Sequence, residues 1–493
     1  MAAARRVGPF AVRDADSLVA ETKEAHHTLN RAIGAFDLTA IGVGSIIGTG
    51  IFVIIGEGVR DAGPAVIIAF LLAALASGFT ALSYAELASS IPVSGSAYTY
   101  SYATLGEIVA WIIGWDLILE YGVSVAAVAI GWGGNLNAFL DSTFGFTLPT
   151  AITAAPEDGG VFNVPAVFIT LAITFLLIRG VRESAKANRY MVLFKLGVLL
   201  FFVAVAVTVF HGSRLSNFSP HGWHGINVAA TAIFFAYIGF DTASTASEEV
   251  RNPKRNVPIG ILGALVVVTV VYILVCVTAL GALPASQLAT SDAPLADALN
   301  KGAGLSWAAS LTSLGAVVAI TSVIITVLYG QTRIFFAMCR DGLLPERLAE
   351  VNPRTGTPVM LTLGFGVFIA VLAAVIPLNK IIELVNIGTL SAFVLVNLGV
   401  VILRRTRPDM PRPFRVPLVP WVPLAGVALC VYLMRNLPTA TWIRFFAWLA
   451  VGLLIYAFYG YRNSRLRREH PPAVGPPPAA PAGPGAAPAA SGD

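Results

Sequence analysis

Residues 42–52 read GVGSIIGTGIF, with glycines at positions 42, 44, 48 and 50 of an otherwise apolar stretch. Glycine destabilises a helix interior by about 1 kcal/mol per site relative to alanine, so a cluster this dense predicts that the helix is interrupted. The alternative is close packing against a second helix, because Gly44 and Gly48 have the small-xxx-small spacing of such contacts. We expect the interruption.

The composition places this stretch in a membrane protein. The chain has 493 residues, of which 56% are hydrophobic and 12% charged, and its mean hydropathy is +0.77. These values exclude a soluble globular protein. A spanning helix needs roughly 20 apolar residues, and the sequence predicts an all-α membrane protein with twelve such helices, at about 36–59, 63–88, 106–138, 163–180, 188–210, 226–248, 258–282, 305–335, 358–376, 380–403, 417–435 and 440–460.

The sequence also argues against several function classes. The chain contains no GxxxxGK[ST] phosphate loop, and Cys276, Cys339 and Cys430 lack metal-ligand spacing. The basic residues are spread over many short loops rather than gathered on one face. We therefore expect no enzymatic activity, no cofactor, no metal and no nucleic-acid partner.

Most of the 32 Lys and Arg residues fall on the loops of one side of the predicted topology. By the positive-inside rule that side is cytoplasmic, and both termini lie there in a protein of the cell membrane. Residues 1–35 form a cytoplasmic segment without the apolar run of a signal peptide. Residues 461–493 are predicted to be a disordered cytoplasmic tail, because their Pro/Ala/Gly run from Pro471 onward offers little apolar surface to bury.

A second interruption is predicted in the sixth segment, where FFAYIGFD at 234–241 places a glycine beside an acidic residue. Spans 1 and 6 are the first members of successive five-span sets, and an odd number of spans reverses the direction of the second set. Paired broken helices in inverted repeats are the architecture of many secondary transporters. The prediction is a five-plus-five inverted repeat, 36–210 and 225–403, followed by two additional helices at 417–460.

The opposite directions of the two spans predict what they bind. The outer half of span 1 begins at mid-depth with free N–H groups near residues 49–51, which suit an anion. The outer half of span 6 ends at mid-depth with free carbonyls near Phe235, Ala236 and Ile238, which suit a cation. Irregular backbone is tolerated in a bilayer only where it is buried in protein or lines a wet cavity. A zwitterion such as a free α-amino acid fits a cavity of this kind.

The stretches that carry these features also resemble a known family. They are GVGSIIGTGIF (42–52), SYAELASSIPVSGSAYTYSYATLGE (83–107), GWDLILEYG (114–122), FFAYIGFDTASTASEEVRNPKRNVPIGI (234–261) and YGQTRIFFAMCRDGLLP (329–345). Over residues 30–460 the chain resembles the cationic amino acid transporter family, bacterial branch, of the amino acid/polyamine/organocation (APC) superfamily. The resemblance implies a LeuT-like fold and amino-acid transport.

It also implies two halves of a substrate site. The carboxylate of the substrate is expected at residues of the first interruption, Ile47, Gly48, Thr49 and Gly50. Its ammonium group is expected at the carbonyls of Phe235, Ala236 and Ile238.

Lys195 is a basic residue deep inside a predicted span, about seven residues or roughly 10–12 Å from its inner end. A charge at that depth is expensive and usually functional. We expect burial against the carbonyls of residues 42–45, the alternative being a side chain that extends to the inner interface. Proton-coupled relatives resemble this chain in having a lysine where sodium-coupled ones place a cation. Because burial disfavours the charged form of an amine, Lys195 is predicted to couple proton binding to transport.

Other polar residues of the spans give open alternatives. Asp116 and Glu120 share a face of span 3, and Glu120 either reaches the side chain of the substrate or is satisfied by neighbouring hydroxyls. Asp241 is expected to cap the inner half-helix of span 6 rather than contact substrate. Ser322 on span 8 is either a pocket hydroxyl or a packing residue.

The function predicted from these features is secondary active transport of cationic or small neutral α-amino acids, as proton-coupled uptake by alternating access. The partners are the amino-acid substrate, protons and membrane lipid, and a small membrane subunit is left open. The alternatives are a polyamine or amino-acid/amine exchanger, a transporter-like amino-acid sensor, and a channel. The preferred side chain is not readable from the sequence.

Overall fold

The computed structural model describes residues 9, 11–12, 33–91, 93, 96–180, 185–353 and 355–469. Within them the secondary structure is helical, with an isolated β-bridge between Ile33 and Val250. The helices used below are α1 Ala35–Ile46, α2 Ile55–Ala62, α3 Val66–Ser90, α4 Ser96–Thr104, α5 Glu107–Leu117, α6 Ser124–Phe144, α7 Val164–Ile178, α8 Ala185–Val207, α9 Gly222–Ile233, α10 Thr242–Thr245, α11 Pro253–Ala282, α12 Ser306–Arg340, α13 Val359–Val375, α14 Leu378–Thr406, α15 Trp421–Met434 and α16 Thr439–Ile455.

The predicted apolar segments are recovered as helices. In the described part of the chain, eight helical stretches are long and apolar enough to cross a bilayer, and α1, α7, α13 and α15 are shorter apolar helices. A π-helical turn, Ile118–Val123, joins α5 to α6, and another, Gly50–Ile54, leads into α2. The all-α class is therefore confirmed, while the count of twelve crossings stays a prediction.

The glycines of residues 42–52 divide between the two interpretations given above. A Cβ atom at Gly42 would lie 2.7 Å from the Cβ of Ala264 on α11, and one at Gly44 would lie 2.7 Å from a methyl of Val192 on α8. Carbon atoms in contact sit about 3.5–4.0 Å apart, so these two glycines allow α11 and α8 to pack closely against α1. Gly48 and Gly50 instead lie where the helix is interrupted after Ile46.

Two buried glutamates tie the helix ends together on the predicted cytoplasmic side. Glu86 near the end of α3 accepts two hydrogen bonds from Arg404 of α14, at 2.9 and 2.6 Å, and one from the Val416 amide at 2.7 Å. The second buried glutamate is Glu107, at the start of α5. Its amide donates to the Ala11 carbonyl at 3.0 Å, so part of the N-terminal segment packs beneath this helix.

The contacts of the Glu107 carboxylate show that one prediction about the tail is wrong. It accepts hydrogen bonds from Tyr102 at 3.0 Å, Tyr456 at 2.8 Å and Arg467 at 3.0 Å, and another from Ser464. Residues 461–469 are therefore not disordered. They form two short helical segments held by a charge that the tail composition does not reveal; residues 470–493 of that prediction lie outside the described residues.

Candidate functional site

The first interruption separates α1 from its continuation. Helix α1 ends at Ile46, Ile47 is extended with φ −73° and ψ 100°, and helical backbone resumes around Gly50. The Ile46 carbonyl at the end of α1 accepts a hydrogen bond from the Tyr272 hydroxyl at 3.0 Å. The N–H groups at the start of a helix have no acceptors within it, so the resumed helix presents donors around Gly48 and Gly50.

The second interruption follows α9. A 3-10 turn, Phe234–Tyr237, leads to an extended Ile238 and then to Gly239, whose φ of +114° lies in the region that favours glycine. The Ile238 amide donates to the Phe235 carbonyl at 3.2 Å, which occupies one of that carbonyl's acceptor positions. Short helix α10 begins after Asp241.

The two interruptions are in direct contact. A Cβ atom at Gly50 would collide with the backbone of Ala236, and one at Gly239 would lie 2.9 Å from the Ser45 carbonyl oxygen. Glycine at both positions therefore lets one irregular backbone segment lie directly on the other.

A cavity lies where the interruptions meet. The residues that line it come from α1, α6, α10, α12, both interruptions and the Ile118–Val123 turn: Ser45, Ile46, Gly48, Thr49, Gly50, Glu120, Tyr121, Ser124, Val128, Phe235, Ile238, Gly239, Asp241, Thr242, Val323 and Val327. Most of the predicted substrate-binding residues are thus brought together. They are Gly48, Thr49, Gly50, Glu120, Phe235 and Ile238.

The remaining predicted substrate-binding residues lie off this lining. Ile47 is fully buried, and Ala236 packs against Gly50. The Ser322 hydroxyl donates to the Ala319 carbonyl of its own helix at 3.4 Å, whereas its neighbour Val323 lines the cavity. The side chain of Thr49 is also engaged, because its hydroxyl donates to the Val128 carbonyl at 3.2 Å.

The expectation that Asp241 caps the inner half-helix is wrong. Its side chain makes no capping hydrogen bond to α10 and instead accepts one from the Tyr121 hydroxyl at 2.8 Å. The carboxylate is turned towards the Ile118–Val123 turn, because a buried phenol there offers a donor. Asp241 therefore belongs to the cavity wall.

Sequence reasoning missed several lining residues whose spacing could have identified them. Ser124 and Val128 follow Glu120 at intervals of four, and Val323 and Val327 are also four apart. Residues with this spacing share a helix face, so Glu120 pointed to Ser124 and Val128. The predicted Ser322 did not point to Val323 or Val327, which lie one and five positions further along α12. Tyr121 faces the cavity with its neighbour Glu120, and the two lie within a π-helical turn.

The acidic side of the cavity has no basic counterpart among its lining residues, which include no Lys, Arg or His. Glu120 is 3% exposed, and Asp116, one turn earlier, is 1% exposed. No described residue donates a hydrogen bond to either carboxylate oxygen of Asp116. On α14, a Cβ atom at Gly388 would contact Leu119 of the turn that carries Glu120.

Lys195 lies outside the cavity wall but reaches the first interruption. Its side chain is fully buried, and its ammonium donates to the Gly44 carbonyl of α1 at 2.7 Å. This is the placement predicted from the sequence. Six residues earlier on α8, Arg189 forms an ion pair with Asp37 at the start of α1. Helix α8 therefore holds α1 at two levels.

Comparison with known proteins identifies the family. The family model described as amino acid permease matches residues 33–463, nearly the whole chain. The chain belongs to the amino acid permease family. This permease is therefore an integral membrane transporter rather than an enzyme, and it is an APC-type amino acid permease as its motifs indicated.

Three relatives illustrate the range of this family. The permease is 47% identical to the branched-chain amino acid permease BcaP of Bacillus subtilis (strain 168), over 93% of this chain and 99% of the relative. It is 44% identical to the methylthioribose transporter of the same organism, with the same coverage of each chain. It is 37% identical to the vacuolar cationic amino acid transporter 4 of Arabidopsis thaliana, over 80% of this chain and 67% of the relative.

Proposed function

We propose that this permease is a secondary active transporter that takes up α-amino acids together with protons by alternating access. One observation carries the proposal: the two interrupted helices touch at Gly50 and Ala236, with helix-start N–H groups on one side and interruption carbonyls on the other. These groups complement a carboxylate and an ammonium on one carbon. The residues proposed to hold substrate are Gly48, Thr49, Gly50, Glu120, Phe235 and Ile238 of the cavity wall, together with the backbone of Ile47 and Ala236 beside it. Ser322 is left out, because its hydroxyl bonds its own helix.

The proposed architecture is a five-plus-five inverted repeat, 36–210 and 225–403, with two further spans at 417–460. It is supported by the positions of the two interruptions, in the first and sixth apolar segments. The distribution of Lys and Arg supports a cell-membrane protein whose termini are both cytoplasmic.

For the substrate side chain we propose a small or branched neutral group. Val128, Val323 and Val327 give the cavity an aliphatic wall, and burying a methylene against such a wall contributes about 0.8 kcal/mol. Glu120 supports cationic substrates as the second candidate. The names of the relatives include branched-chain amino acids, cationic amino acids and methylthioribose, so sequence identity does not select one substrate, whereas the aliphatic wall favours a small or branched neutral side chain.

The central experiment is uptake into vesicles reconstituted with the full-length permease. Radiolabelled alanine, valine and arginine are compared with and without an inward proton gradient. Saturable valine or alanine uptake that rises with the gradient and collapses with an uncoupler is expected. Analogues lacking the carboxylate or the ammonium should compete poorly, because each leaves one interruption unmatched. Preferred uptake of a polyamine or of methylthioribose, or binding without flux, would refute the proposal.

Proton coupling is assigned to Lys195, whose ammonium holds the Gly44 carbonyl beside the first interruption. Lys195→Ala should lose accumulation driven by the proton gradient but keep substrate exchange across the vesicle wall, since no cavity-lining group is removed. Accumulation with an unchanged pH dependence would show that the lysine is not the coupling group.

The aliphatic wall has a matched pair of test residues on α12. Val323→Ala should raise KM for valine about fivefold, because the lost contact is worth about 1 kcal/mol, and should affect alanine less. Ser322→Ala is the control at the adjacent position, and its KM should stay within about twofold because its hydroxyl bonds its own helix. If the two variants changed the KM for valine equally, Val323 would not determine the side-chain preference.

A further inference from the structure

A second cavity lies on the side of α12 that faces away from the substrate cavity. Its wall includes Tyr329, Thr332, Arg333 and Phe336 of α12, Leu177 at the end of α7, and Thr357 in the segment before α13. Val323 and Val327 lie on the opposite face of α12. The cavity is near the end of α12 that carries Arg340, about two turns or roughly 10 Å away. In the topology predicted from the sequence, that depth corresponds to the headgroup region on the basic side of the protein.

The polar part of this cavity suits an anion. The Arg333 guanidinium donates to the Tyr329 hydroxyl at 2.5 Å and lies 4.4 Å from the centre of its ring, so Tyr329 orients it. The residues that line the cavity include no Asp or Glu. A second guanidinium, that of Arg179, follows α7 and lies over the Phe175 ring at 4.3 Å. Arg179 does not line the cavity itself but lies two residues after Leu177, which does.

The walls of the cavity are held by contacts between α7 and α13. The Thr357 hydroxyl donates to the Ile178 carbonyl at 3.2 Å, which ties the segment before α13 to the end of α7. Further along, Gly366 of α13 packs against Thr174 so closely that a Cβ atom would collide with its hydroxyl. The cavity is therefore bounded by three connected helices rather than by a single exposed loop.

Apolar side chains continue from this cavity along α7 and α13. Phe175 is 56% exposed and Met360 is 65% exposed. Exposed apolar residues then follow at helical intervals on both helices, Phe168 and Leu171 on α7 and Leu363 and Val367 on α13. In a membrane protein such a surface is covered by acyl chains.

We propose that this groove binds an anionic phospholipid, with its phosphodiester at Arg333 and its acyl chains along α7 and α13. Basic pockets between transmembrane helices on the cytoplasmic side bind anionic headgroups, and this one joins the charge to a continuous apolar surface. An Arg guanidinium matches the phosphate oxygens better than a Lys ammonium does. The proposal does not depend on which substrate is transported.

The test is native mass spectrometry of the detergent-purified full-length permease, titrated with phosphatidylglycerol or with phosphatidylcholine of the same acyl chains. The wild type should bind phosphatidylglycerol preferentially, and Arg333→Gln should weaken that binding about fivefold, the value of one basic side chain near an anionic surface. Tyr329→Phe should weaken it less, because the guanidinium loses an orienting partner but keeps its charge.

The matched control is Arg340→Gln, which removes an exposed charge from the same helix outside the cavity. It should bind phosphatidylglycerol as the wild type does. Only variants whose melting temperature matches that of the wild type are compared. An Arg333→Gln variant that binds like the wild type, an equal loss in Arg340→Gln, equal binding of the two lipids, or capture of inorganic phosphate without lipid would each overturn the proposal.

Discussion

Two pairs of buried carboxylates in this permease differ in their partners. At the helix ends, Glu107 receives hydrogen bonds from two phenols, a serine and Arg467, and Glu86 is held by the guanidinium of Arg404 and a backbone amide. At mid-depth, Asp116 receives none from the described residues, and Glu120 lines a cavity whose wall contains no cation.

The contrast separates structural from functional acids. A buried carboxylate is expensive unless it is paired and hydrogen-bonded, and Glu86 and Glu107 meet that condition within the fold. Asp116 does not, and ionisable groups at mid-depth in a membrane usually belong to a substrate or proton path. The difference predicts that substitutions at the helix ends change stability, whereas those at mid-depth change transport.

The largest effect is expected for Glu107→Ala. It removes the acceptor shared by Tyr102, Tyr456, Ser464 and Arg467, and breaking a buried ion pair costs about 3–5 kcal/mol of unfolding free energy. The measurement is the temperature at which the monodisperse peak is lost in size-exclusion chromatography after heating. Arg467→Ala removes one donor and should cost less. A wild-type melting profile for Glu107→Ala would contradict the structural assignment.

The sequence anticipated the helices and the two interruptions because both depend on local composition. An apolar run of spanning length and a dense glycine cluster are visible without any tertiary contact. The packing of residues 461–469 on Glu107 was not predictable, since Ser464 and Arg467 reach it from more than 350 positions along the chain. The same limit hid the bond from Tyr121 to Asp241, which the local sequence predicted to be a helix cap.

The backbone part of the substrate site could be predicted from the sequence, whereas the side-chain part could not. Gly48, Gly50 and Ile238 follow from helix direction and helix ends, which the order of the spans supplies. Side-chain walls depend on the rotation of α12, and a rotation of one position separates Val323, which lines the cavity, from Ser322, which does not. No pattern within one helix fixes that rotation.

A middle-sized effect is expected for Glu120→Gln, and on transport rather than stability. The variant keeps the volume of the side chain but removes its charge, so its melting temperature should stay close to that of the wild type. The uptake rate should fall about tenfold, equivalent to about 1.4 kcal/mol, with arginine affected more than alanine. If the ratio of arginine uptake to alanine uptake were the same in the variant and the wild type, Glu120 would have no role in substrate specificity.

The smallest stability effect is expected for Asp116→Asn. Because no described residue donates to this carboxylate, the substitution removes no hydrogen bond within that part of the fold, and the unfolding free energy should change by less than about 1 kcal/mol. Glu107→Gln is the matched control, since an amide replaces a carboxylate there too but meets an arginine and three hydroxyls. Thermal unfolding of both variants in one detergent gives the comparison directly. If Asp116→Asn unfolded at as low a temperature as Glu107→Gln, the division between structural and functional carboxylates would fail, because the mid-depth acid would then be holding the fold together.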